Sequence, residues 1–159
     1  MKKLSILIAI STIIFAAQTS FAQGEKELVV KTAQALATAP LDKETKKMEE
    51  KALRWTIETE DVHLVACGGV FGLFSDKKNK NSPGMTSAYM IGMAAFRLEN
   101  PTKDENATQL AGLELALKVY EALVKEKPKT KNDGIEALLV KRGSGELAGV
   151  VNAADCGKK

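Results

Sequence analysis

Residues 105–127, ENATQLAGLELALKVYEALVKEK, decide the fold. Leu110, Leu113, Leu117, Tyr120 and Val124 recur at intervals of three and four, the spacing that lines up one face of an α-helix. Glu114–Lys118 and Glu121–Lys125 fall four apart off that stripe, in the order that favours a helical ion pair. Pro128 ends the run, since its ring cannot continue a helix.

The same period continues outward in both directions. Upstream, Met85–Glu99 reads as a helix with Ala88, Gly92 and Ala95 on one side and Tyr89, Met93 and Phe96 beside them, ending at Asn100-Pro101. Ser75–Gly84 (SDKKNKNSPG) reads as a lysine- and asparagine-rich loop closed by a Pro83-Gly84 turn. Val62–Phe74 is the most apolar run after the first 22 residues. It is expected to be a central buried helix started by Asp61, with Gly68, Gly69 and Gly72 allowing close backbone approach. Asp42 is placed to cap a helix over Lys43–Glu58, whose buried stripe is expected at Met48, Ala52 and Trp55, flanked by Leu53 and Ile57, with Glu50 and Arg54 on the wet face. Glu25–Thr38 sets Leu28, Val29, Thr32, Ala35 and Leu36 along one side and stops at Ala39-Pro40. Downstream, Asp133–Lys141 and Gly145–Ala153 read as two short closing helices. The sum is an all-α bundle of six or seven helices with an aliphatic core.

Met1–Ala22 has the form of a secretion signal. Lys2 and Lys3 supply the positive start, Leu4–Ala17 an apolar stretch too short to span a bilayer, and Ser20-Phe21-Ala22 the small residues a signal peptidase reads. No cysteine follows the stretch, so Gln23 is the expected mature N-terminus and the periplasm or exterior the expected compartment. About 137 residues then remain, a single domain, with net charge falling from +3 to about +1. That balance argues against nucleic acid, and no second apolar run reaches the roughly 18 residues of a membrane helix. In an oxidising compartment the two cysteines, Cys67 and Cys156, read as one structural disulfide. The alternative is a buried inert thiol at Cys67 and a free one in the tail.

Candidate chemistry is sparse. His63, the sole histidine, follows Glu60 and Asp61 and precedes Cys67 by four. On a helix, His63 and Cys67 would share a face, as a zinc site or an activated thiol requires. A disulfide consumes the thiolate that both need, so neither a metal nor a cofactor is assigned, and no catalytic residue either. Glu58, Glu60 and Asp61 could serve as paired carboxylates, but a helix end followed by a cap explains them. Cys67–Gly72 lacks the Lys-Ser/Thr ending of a phosphate-binding loop. Lys77, Lys78 and Lys80 read as a solvated turn.

Ile91-Gly92 followed by Ala116, Tyr120 and Pro128, above all in ALKVYEALVKEKP (116–128), resembles the helix pair of a tetratricopeptide repeat. In that family such hairpins stack into concave surfaces that bind peptides or proteins. This chain departs from the pattern in its longer connection containing Pro101, in Leu123 where the family favours alanine, and in having no second copy at a fixed period. The expected function is thus non-catalytic binding of a protein or peptide. The alternatives are carriage of a small apolar ligand beneath Phe71, Phe74, Met90, Met93 and Phe96, or an enzyme using His63 with Glu60 or Asp61.

Overall fold

Asp42 shows how directly the chain encodes its helix ends: its carboxylate accepts hydrogen bonds from the amides of Glu44 (2.9 Å) and Thr45 (3.2 Å). Those amides have no partner inside the helix, so a side-chain acceptor there sets the start of the helix over Lys43–Glu58. The computed structural model describes residues 23–154 and Cys156, so the expected signal segment, residues 1–22, lies outside the described residues. α1 covers residues 23–38, α2 Lys43–Glu58, α3 Gly68–Phe71, α4 Ser82–Glu99 and α5 Glu105–Glu126. A 3-10 turn at Pro128–Thr130 leads into α6 (Asp133–Gly143) and α7 (Leu147–Ala153). Among the described residues the regular structure is entirely helical.

α4 and α5 form an antiparallel hairpin through the middle of the bundle, and both of its sides are buried. On one side Met85, Tyr89, Met93, Leu113, Leu117 and Tyr120 pack with Val70, Phe74, Ile135 and Leu147 from α3, the loop after it, α6 and α7. On the other, Ala88, Ile91, Ala95, Leu115 and Val119 pack with Val29 and Leu36 of α1 and Ala52 of α2. A helix buried on two sides is apolar nearly all round. α5 therefore keeps its expected stripe of Leu110, Leu113, Leu117, Tyr120 and Val124, with Leu110 half-buried, and adds a second one on its opposite side. The hairpin closes tightly at Gly92 and Gly112. A Cβ on Gly112 would stand 2.7 Å from the Tyr89 carbonyl oxygen, and one on Gly92 would stand 3.1 Å from the Gly112 Cα.

The expected central helix over 62–74 is corrected by the structure. Residues 59–67 are not helical, and only Gly68–Phe71 makes a helical turn, with Cys67 at its N-cap position. Asp61 caps no helix; its carboxylate lies 3.2 Å from Lys26 on α1. The glycines disfavour the helix locally, and a long-range bond captures the backbone. Gln109, fully buried in α5, donates from Nε2 to the Val65 carbonyl at 2.7 Å. Gln109 also donates to Glu105 at 2.6 Å and accepts from the Tyr89 hydroxyl, while Glu105 pairs with Arg97 at 2.9 Å.

The Cys67–Cys156 disulfide is present, as expected, and fastens this segment to the chain beyond α7. The chain-entropy model assigns such a loop of about 90 residues a stabilisation of about 4–5 kcal/mol.

Three smaller expectations are also corrected. The buried stripe of α2 runs Thr45, Glu49, Ala52, Thr56, leaving Met48 and Trp55 half-buried. The Thr56 hydroxyl satisfies itself on the Ala52 carbonyl at 2.8 Å, which lets a polar residue face inward. Pro83 and Gly84 lie inside the first turn of α4, where proline's missing amide costs nothing. Glu121 pairs with Arg142 of α6 at 2.7 Å instead of with Lys125.

Candidate binding groove

The lysine-rich loop is a built element. Asn79 and Asn81 alternate with the lysines, and both are buried. The Asn79 side chain donates to the Phe74 carbonyl at 2.8 Å and accepts from the Asn81 amide at 3.0 Å. Asn81 in turn donates to the Thr130 carbonyl at 2.8 Å, joining this loop to the 3-10 turn after α5. Asp76 accepts from the Lys78 amide at 2.8 Å, closing a side-chain-mediated turn. Lys77, Lys78 and Lys80 are thereby carried on a backbone pinned from both sides, with all three side chains exposed. Asparagines interleaved with lysines are the sequence signal for this: asparagine bonds its neighbours' backbone readily, and two of them close together can fold a loop.

Where this loop meets the C-terminal half of α2 and the start of α4, it leaves an open groove of about 630 Å³. Leu53 and Ile57 of α2 face Pro83 and Met90 of α4 across it, and Lys77 and Lys80 stand at its lysine-rich edge. Ile57 is 63% exposed, the result of α2 turning its polar threonines inward. Ser87 also lines the groove, and its buried Oγ has no hydrogen-bond partner among the described residues. α4 begins here with no side-chain cap, the Asn81 side chain being committed to Thr130, and its first turn carries no acid. The electrostatic character of the edge is therefore cationic: two lysines and the positive end of a helix dipole.

The residues singled out from sequence are placed elsewhere. Glu60 and His63 are exposed, Asp61 is engaged with Lys26, and none of the three borders the groove. His63 and Cys67 do not share a helix face, and the Cys67 sulfur is committed to the disulfide. Among the described residues no three His, Cys, Asp or Glu side chains are grouped to hold a metal ion. The residues named for the alternative, an apolar ligand site, are dispersed as well. Phe74 and Met93 are core, and Phe71 packs edge-on against Phe74 with ring centroids 5.5 Å apart. Met90 lines the groove, and Phe96 lines a different depression near α1.

The two tyrosines of the core are held neutral. Burial, and then the nearby Glu105 carboxylate, hold the Tyr89 phenol far above its ordinary value. Burial chiefly raises Tyr120, against the opposing backbone bond from Asn132. Both serve as hydrogen-bonding core residues: Tyr120 accepts from the Asn132 amide at 2.9 Å and donates to Glu136 at 2.8 Å.

No family model, no curated protein and no solved structure matches this chain.

Proposed function

We propose that the protein is an exported, non-catalytic binding module that receives a segment of another protein in the groove between α2 and α4. The observation that carries this reading is the groove itself, where Leu53, Ile57, Pro83 and Met90 offer apolar surface in an open trough. An apolar trough with polar groups at one edge is the usual form of a peptide-receiving site. Two further features support it. A disulfide between Cys67 and Cys156 suits an oxidising compartment, as the signal-like Met1–Ala22 does. The resemblance of residues 91–128 to a tetratricopeptide hairpin points toward peptide binding too.

Export is tested by expressing the whole chain in a bacterial host and taking the intact mass of the periplasmic product. A start at Gln23 with Cys67 and Cys156 two hydrogens lighter than free thiols is expected; full-length chain retained in the cytoplasm would reject export. Binding is tested by methyl NMR with peptides selected from a displayed random library. Shifts confined to Leu53, Ile57 and Met90 are expected. An apolar molecule released from the native protein by organic solvent, with the same methyls shifting on its removal, would make the protein a carrier instead.

A further inference from the structure

The lysines at the groove edge belong to a larger feature. Residues 75–81 and 127–131, joined by the Asn81–Thr130 bond, hold Lys77, Lys78, Lys80, Lys127, Lys129 and Lys131 against a single carboxylate, Asp76. All six lysines are exposed. Of the six, only Lys131 has an ion-pair partner among the described residues, Glu136 at the long distance of 3.9 Å. Residues 23–159 are nearly neutral as a whole, so the positive charge at this end is balanced by net negative charge elsewhere. The apolar trough opens beside this lysine-rich pair of loops, with Lys77 and Lys80 in its lining.

We infer that the partner segment received by this groove is acidic: apolar side chains seated on Leu53, Ile57 and Met90, with carboxylates beside them meeting Lys77, Lys80 and the lysines of 127–131. This rests on the binding-module reading above and names its partner. Three observations converge on it. The groove lining includes lysines and no carboxylate. The 18-residue helix α4 presents an uncapped, positive N-terminus at the same edge. The pinned loop fixes the backbone that carries these lysines before a partner arrives, which lowers the ordering cost of binding. Six lysines spread over two loops exceed what the single carboxylate of a small amphiphile can use, and they suit a chain carrying several acids. A membrane surface fits less well, because the apolar atoms here line a trough and do not form a protruding face.

The test starts from a random peptide library displayed on phage, selected at low salt on the disulfide-bonded protein. Recovered peptides are then measured by fluorescence anisotropy beside versions in which every Asp and Glu is replaced by Asn and Gln. Enrichment of acids next to Leu, Ile or Phe is expected. The amide versions, and the wild-type peptides on the Lys77→Glu/Lys80→Glu variant, should bind about three- to thirtyfold more weakly, the range for two exposed charge pairs. Added salt should erase that difference. The variant should keep the wild-type melting curve, since both side chains are exposed. Neutral or basic peptides that lose binding on Ile57→Asp would overturn the acidic partner and leave the binding module standing. Failure to recover any peptide sensitive to Ile57→Asp would overturn both. Binding to phosphatidylglycerol vesicles that requires Lys77 and Lys80, with no peptide competing, would replace the protein partner with a lipid surface.

Discussion

The α4–α5 hairpin and the segment from Thr59 to Asn81 lie against the same core, yet different forces hold them. In the hairpin, apolar side chains face two cores, the backbone satisfies itself within each helix, and the helices meet at Gly92 and Gly112. In the segment, the helical ladder is one turn long. Its position depends on individual side-chain bonds: Gln109 and Asn79 donate to its backbone at Val65 and Phe74, and its own Asn81 donates outward to Thr130. A disulfide adds the covalent tie. The hairpin is specified by repetition, whereas the segment is specified by a few individual bonds, so their responses to single substitutions should differ in kind.

The largest effect should come from the covalent tie. Cys67→Ser/Cys156→Ser is expected to lose about 4 kcal/mol of unfolding free energy, most of it through a freer unfolded chain. Urea titration of the oxidised and double-variant proteins measures this, and equal midpoints would mean that the bridge adds nothing to the segment's position. Next comes the hairpin's close approach. Gly112→Ala places a methyl against the Tyr89 carbonyl, which cannot move without its helix, and should cost about 3 kcal/mol. A neutral result would show that the two helices can separate freely and that repetition alone holds them.

Gln109→Leu addresses the bond that joins the two regions. It leaves the Val65 carbonyl and the Tyr89 hydroxyl without their buried partner, at about 2 kcal/mol. Amide exchange should rise first at residues 62–71, well before the hairpin. Uniform exchange across both regions would instead make them one cooperative unit.

The smallest effect is one of pH. The Tyr89 phenol is raised in the folded protein, first by burial and then by Glu105, so the folded state holds a proton that the unfolded chain releases near pH 10. The stability contributed by the neutral phenol is complete below about pH 10 and declines as pH rises beyond it. Urea midpoints should therefore fall through the alkaline range, with a shallower fall in Tyr89→Phe, the remaining slope belonging to Tyr120. An identical slope in the variant would remove Tyr89 from the account.

What could be read from sequence follows the same division. α2 begins at Lys43, just after its cap Asp42, and ends at Glu58 as its period requires, and α5 ends before Pro128 for the same local reasons. The pairing of Cys67 with Cys156 followed from their number and the expected compartment. The segment misled because a run such as Val62–Phe74 looks like a buried helix when only its own residues are weighed. Its conformation is decided by Gln109, 44 positions away. The groove was hidden for a related reason. It exists because Thr45, Thr56 and Glu49 turn inward and release Ile57 outward, a phase that the larger apolar residues of α2 argued against. Lys77, Lys78 and Lys80 were visible as a charge run, but only the asparagines between them show that the loop is fixed.

The disulfide also divides the molecule in a topological sense. Residues 67 to 156 form a covalent ring that contains α3 to α7, while α1 and α2 hang outside it on a single linear arm. A protease cut in the loop at 75–81 or 127–131 opens the ring but releases nothing until a reductant is added. A cut in the arm at 59–66 breaks the covalent link of α1 and α2 to the ring and leaves them held by core packing alone. The two walls of the groove are therefore held differently after proteolysis: a nick in the ring leaves the α4 wall covalently tied through the disulfide, and one cleavage in the arm leaves the α2 wall dependent on packing.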